Sequence, residues 1–295
     1  CWRRAEAAFP TQRRDAEMAL LARTEPRSLI SFRGFGTVTG LCLFILYVPM
    51  LVLVVFSFNA NRAVTVWGGF SLQWYAKAAY NGGLQNAAWN SLVVAVIATT
   101  VATAIATAAA LATGRGQRFR GSQAFYMLVN LPLMLPEIII AVGTLSFFAL
   151  LGMKLSLLTI IIAHTVFCIP FAYLPIRSRL ETMDARLEEA ASDLYASPLD
   201  AYRHVTMPLL MPGIISGAML AFVVSLDDFI ITAMVAGAGS GTLPVYVYTQ
   251  LKQGVTPEIN AISTVLLAVS IVLVAASYFV AKAGSKHVRP ATEQP

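Results

Sequence analysis

The chain has 295 residues, 57% of them hydrophobic and only 12% charged, with a net charge of +6. This composition excludes a disordered chain and points to an integral membrane protein. The positive balance is explained by Lys and Arg at cytoplasmic loop ends rather than by nucleic acid, and the odd set Cys1, Cys42 and Cys168 implies no disulfide framework.

Residues 1–37 form a basic arm with Arg3, Arg4, Arg13, Arg14, Arg23, Arg27 and Arg33 and no membrane span. Two readings stay open for it: a disordered tail, or a short helix over 11–23 lying on anionic lipid. Cys1 in place of Met points to a truncated or processed start. Six apolar stretches follow, at 38–58, 90–113, 122–150, 156–176, 208–235 and 259–281. Each is long enough to cross a hydrocarbon core of about 30 Å, so the predicted fold is an all-α integral membrane domain over 38–283, with a tail over 284–295. The first stretch is too long for the apolar core of a signal peptide and reads as an anchor. Pro132 and Pro136 predict a break in the third.

With the N-terminus inside, seventeen Lys and Arg fall on the inner side. Only Arg62, Lys77, Lys154 and Lys252 fall outside. That asymmetry sets the orientation, with both termini cytoplasmic. The outer loop 59–89 carries Trp67, Trp74 and Trp89, which read either as an interfacial aromatic belt or as a cation–π rim at an entrance. The outer loop 236–258 is glycine-rich at Gly237, Gly239 and Gly241. Its apolar Leu243-Pro244-Val245-Tyr246 segment is expected to fold back on the spans or to touch a partner.

The longest polar interval between spans, 184–212, is cytoplasmic in this topology. Asp184 caps a predicted helix over 185–194 whose Leu187, Ala190, Ala191 and Leu194 share one face. Ser197, with Pro198 at the first position and Asp200 three residues after the cap, starts a second. Met207-Pro208 closes the stretch. An amphipathic helix pair suits docking into another protein's groove; a solvated connecting loop is the plainer alternative.

Ionisable groups within spans are costly and mark function by default. Four qualify: Glu137, His164, Asp227 and Asp228. At 1.5 Å per residue, Glu137 lies about 22 Å from the inner start of span three, His164 about 10 Å below the outer start of span four, and Asp227 about 28 Å up span five. All fall in the outer half of the core or near its surface, and three carboxylates without Lys or Arg at that level favour a cationic solute. The plainer alternatives are outer-water exposure for the Asp pair, a helix cap for Glu137, and a packing role for His164. No GxxxxGK[ST] sequence, no nucleophile–base signature and no metal-ligand spacing occurs, so this chain is expected to be no enzyme and to hold no metal or cofactor. The two halves show no obvious repeat.

Glu189-Ala190-Ala191, position 195 and Val205-Thr206-Met207-Pro208 resemble the motif of ABC importer permeases: Glu-Ala-Ala, three residues, Gly, nine residues, Ile-x-Leu-Pro. The family's Gly is Tyr195 here. Leu-Pro-Glu-Ile at 135–138, the segment from His164 to Pro170, Ser-Leu-Asp-Asp at 225–228 and the run 254–261 are similar to permease subunits of spermidine/putrescine importers. The resemblance covers roughly 38–283. It implies a six-span type I importer permease fold in the bacterial inner membrane, with the loop 184–208 coupling to an ATPase dimer that binds ATP and Mg. It also implies a second homologous permease, an extracytoplasmic (periplasmic) binding protein and a small cationic substrate. By position, Glu137, Asp227 and Asp228 become candidate polyamine contacts. An importer of the same architecture for an amino-acid derivative or opine, and a stand-alone carrier or channel, remain as alternatives.

Overall fold

The structure, a computed structural model, describes residues 35–62, 66–114, 121–184, 186–254 and 256–285. The basic arm up to residue 34 and the tail beyond 285 lie outside them. The chain divides into two units, Cys1–Leu53 and Val54–Pro295. Helix α1 (Phe35–Phe56) lies mostly in the first and matches the first predicted span.

The second unit is helical. In chain order it contains α2 (Gln73–Ala79), α3 (Gly82–Gly114), α4 (Ser122–Met134), α5 (Glu137–Leu150), α6 (Leu157–Glu181), α7 (Arg186–Asp193) and α8 (Pro198–Ala201). A π-helical turn, Tyr202–Thr206, then leads into α9 (Met207–Asp227), followed by α10 (Ile230–Val235), α11 (Leu243–Gln253) and α12 (Pro257–Ser285). Among the described residues five single helices are long and apolar enough to cross a membrane, and the count is six where the bent pair α4–α5 is taken as one span.

The core is built on α3, α6 and α9. Ala102, Ala106, Ala109 and Ala110 of α3 pack with Cys168, Ala172, Tyr173 and Ile176 of α6 and with Leu210 and Ala221 of α9. Lipid supplies no hydrophobic drive between helices, so close approach through small side chains must hold them together. Gly217 shows how close: a Cβ there would stand 2.5 Å from the Ala172 carbonyl oxygen. A second cluster lies at the other end of α6. Ile160, Ala163 and Phe167 meet Ala141 and Phe148 of α5, Val94 of α3, and Ile231 and Val235 of α10.

Three expectations are corrected. Span two begins at Gly82 rather than 90: Asn81 Oδ1 accepts from Leu84 N at 3.2 Å at the start of the helix, and Gln85 Nε2 donates to the Ala79 carbonyl at 2.6 Å. Span three breaks at Leu135-Pro136, where the chain bends by 106°. Pro132 instead remains inside α4. Span five is not continuous over 208–235: it starts as far back as Pro198, running through the π turn without interruption, and stops at Asp227. Met207-Pro208 opens α9 as expected but does not end the helical run: Pro208 has no N–H to give, and the π turn Tyr202–Thr206 lies directly before it.

In the loop 59–89, Trp74 is buried and donates Nε1–H to the Asn59 carbonyl at 2.7 Å. It is a packing residue, whereas Trp67 and Trp89 are exposed. The segment 243–246 begins α11 and folds back on its own chain. Leu243 N donates to Ser91 Oγ at 2.7 Å, and Asn81 Nδ2 donates to Tyr246 Oη at 3.0 Å. Asn81 also donates to Glu258, whose other oxygen pairs with Lys77 at 2.9 Å.

Candidate functional site

Two helix breaks create the inner polar site. At Pro136 the extended backbone resets the chain, and Glu137 becomes the first residue of α5. A carboxylate there faces the positive end of the helix dipole. At the second break, Asp228 leaves the helix with φ −63° and ψ 130°, and α10 restarts two residues later. Asp228 Oδ2 accepts from Thr232 N at 2.9 Å and from Thr232 Oγ1 at 3.0 Å, satisfying a donor that the first turn of α10 leaves open.

His164 of α6 completes this arrangement and is fully buried. Its Nδ1 lies 2.9 Å from Ser225 Oγ, and its Nε2 lies 2.8 Å from Thr232 Oγ1 and 3.1 Å from Asp228 Oδ2. The Thr232 hydroxyl hydrogen is already given to Asp228, so Nε2 must carry the hydrogen that serves both oxygens. Asp228 Oδ2 thus has three donors around it. Asp228 Oδ1 is buried and accepts none. The Glu137 side chain lies within interaction distance of Asp228, and it is half-buried.

The adjacent Asp227 goes elsewhere. Because the helix ends there, the two acids diverge. Asp227 is exposed and accepts from Ser270 Oγ of α12 at 3.2 Å and 3.3 Å. Of the four predicted span residues, Glu137, His164 and Asp228 come together and Asp227 does not. Sequence reading missed Thr232, which lies one helical turn after Asp228; that i, i+4 spacing was the available signal.

In the polar stretch 184–212, Asp184 Oδ1 accepts from Arg186 N at 3.0 Å, and Ser197 Oγ accepts from Asp200 N at 3.2 Å, so both predicted caps are present. Glu189, Ala190 and Pro208 are exposed, while Ala191, Val205 and Met207 are half-buried. Tyr195 has φ 59°, the one positive φ outside glycine among the described residues. Around it, Ala196 N donates to Ala191 O and Tyr195 N to Ser192 O, a helix ending in which the left-handed position normally falls to glycine. The Tyr195 side chain is 99% exposed and Leu194 is 82% exposed. Thr206 of the π turn donates its hydroxyl to Glu188, tying α7 to the foot of α9.

The family model for the inner membrane component of binding-protein-dependent transport systems matches residues 102–290. The chain is 41% identical over 251 residues to the putrescine transport system permease protein PotI of Escherichia coli (strain K12), covering 83% of this chain and 89% of that protein. It is 38% identical over 237 residues to the spermidine/putrescine transport system permease protein PotC of Haemophilus influenzae, covering 80% of this chain and 92% of that protein. In fold it is similar to a chain of a bacterial alginate ABC transporter, solved in complex with an alginate pentasaccharide-bound periplasmic protein. That match has a TM-score of 0.64 at 14% identity and covers 90% of this chain and 94% of the other.

Proposed function

This chain belongs to the family of binding-protein-dependent transport system inner membrane components, and from that premise we propose that it is the subunit through which an ATP-driven importer takes up polyamines. It is a multi-span permease subunit of an ABC importer, with the type I permease fold. The polyamine reading draws on relatives named for putrescine and spermidine transport. The observation that carries it is the Glu137–Asp228 pair at two helix breaks. The stretches that build this region, 121–153, 155–176 and 204–251, hold no Lys or Arg. A pair of carboxylates with no Lys or Arg beside it is costly within a span, and an ammonium group passing through compensates it.

The permease domain is 38–283, with its N-terminal arm and C-terminal tail in the cytoplasm. It works beside a second homologous permease, an ATPase dimer that binds ATP and Mg, and an extracytoplasmic binding protein. The loop 184–208 engages the ATPase through Glu189, Ala190, Ala191 and Tyr195, with Val205, Met207 and Pro208 anchoring it to span five. Glu137 and Asp228 contact the solute directly, and Asp227 faces span six.

The test is reconstitution of the four kinds of subunit in vesicles with radiolabelled putrescine and spermidine. ATP-dependent accumulation of either supports the reading. Accumulation of an amino-acid derivative or opine, with neither polyamine moved, assigns the same architecture to another solute. Uptake without the ATPase points to a stand-alone carrier.

A further inference from the structure

We propose that His164 is a positioning residue: with Ser225 and Thr232 it fixes one oxygen of Asp228, so that the other is kept free as the solute-facing acceptor. This deepens the polyamine reading and rests on it. His164 is an unsuitable direct contact, because it is fully buried and both ring nitrogens are already engaged. Its position explains why Asp228 has two unlike oxygens. Oδ2 receives Thr232 N, Thr232 Oγ1 and His164 Nε2. Oδ1 receives no hydrogen bond although it is buried. A carboxylate on a free rotor would exchange its two oxygens and spread its charge over both directions. Here the rotor is locked by three donors from two helices, α6 and α10. The Glu137 carboxyl lies within interaction distance of this carboxylate. An unpartnered buried acceptor is unfavourable in the resting protein, and it is suited to a donor that arrives and leaves. A primary ammonium has three N–H donors and can bridge Asp228 Oδ1 and Glu137.

Ser225 holds the imidazole from its other side. Ser225 and Asp228 are three residues apart across the helix end, and His164 fits between them from α6. The lock therefore also ties the break in span five to span four. A purely packing histidine needs the ring volume; a positioning histidine needs the Nε2 donor. Those requirements separate by substitution.

The experiment measures radiolabelled putrescine and spermidine uptake by the complete reconstituted importer. The variants are His164→Met, His164→Gln, Asp228→Asn and the double variant Asp228→Asn with His164→Met. Met fills the space without a donor, and Gln returns an N–H near the position of Nε2. His164→Met is expected to lower uptake about tenfold, the lower end of what losing a charge-assisted hydrogen bond brings. His164→Gln should recover to within about threefold of the parent on the same scale. The double variant should transport no worse than Asp228→Asn alone, because the histidine acts through that aspartate. Equal loss with Met and Gln, or losses that multiply in the double variant, overturns the positioning role. Parental uptake by His164→Met overturns it as well. Thr232→Val removes one hydroxyl from the same lock and gives the same reading if His164→Met does not assemble. Parental uptake by Asp228→Asn instead overturns the polyamine path itself, and the two failures are thereby told apart.

Discussion

Tyr195 sits where the geometry calls for glycine. Its φ of 59° crowds Cβ against the following carbonyl, at a cost of about 1–2 kcal/mol relative to a residue without Cβ. The helix ending around it is otherwise complete, so the backbone holds the strain rather than relaxing it. Tyr195→Gly is therefore expected to raise the thermal midpoint of the purified importer, by an amount equivalent to about 1 kcal/mol. A midpoint that stays or falls would mean that the exposed ring has a contact worth more than the strain. At the inner polar site, the same residue-by-residue reading separates two neighbours. Asp228→Asn should cut polyamine uptake roughly tenfold to a hundredfold. Asp227→Asn, which alters only an exposed contact with Ser270, should cut it less than threefold on the same scale. Equal effects in side-by-side uptake assays would show that the divergence of the two acids has no functional meaning.

Element by element, the molecule alternates close packing with deliberate breaks. Helices α6 and α9 approach through Gly217, whose added Cβ would fall 2.5 Å from a backbone oxygen that cannot move independently. Gly217→Ala should therefore destabilise the permease by about 1–3 kcal/mol, read as a lower thermal midpoint and a lower yield of intact complex. An unchanged midpoint would mean that the two helices slide apart freely. The helical run from Pro198 to Asp227 is the other consequence of this layout. It joins the loop 184–208, through a π turn, to the break that carries Asp228. Thr206, at the end of that turn, bonds to Glu188 of α7. Thr206→Val should loosen this tie and reduce putrescine moved per ATP hydrolysed, while ATP turnover itself falls less. Equal falls in both would place Thr206 in assembly rather than in transmission.

For the molecule as a whole, the two ends carry different duties. The end that carries the loop 184–208 presents Glu189, Ala190, Leu194 and Tyr195 outward, exposed among the described residues. The inner polar site keeps its acids within the helical core. Glu189→Lys is expected to leave membrane insertion intact and to abolish ATP-driven uptake. It reverses a charge on an exposed face, the one proposed above to engage the ATPase, without touching the spans. Normal uptake by that variant would reduce the loop 184–208 to a connector.

The membrane class, the apolar helices, both caps of the stretch 184–212 and the outward face of α7 were legible in the residues, because each follows from local periodicity, length or capping chemistry. Pro136 also announced the break before Glu137. The break at Asp228 was not legible: Asp227, Asp228 and Phe229 carry no proline or glycine, and what stops the helix is a tertiary bargain. The backbone opens there because Thr232 and His164 satisfy the released aspartate, and His164 is 64 residues earlier in the chain. Depth estimates along straight helices put four ionisable groups at one level. Only the folded chain decided that three of them meet and that Asp227 turns to span six, since which way a side chain points at a broken helix depends on the partners that wait for it.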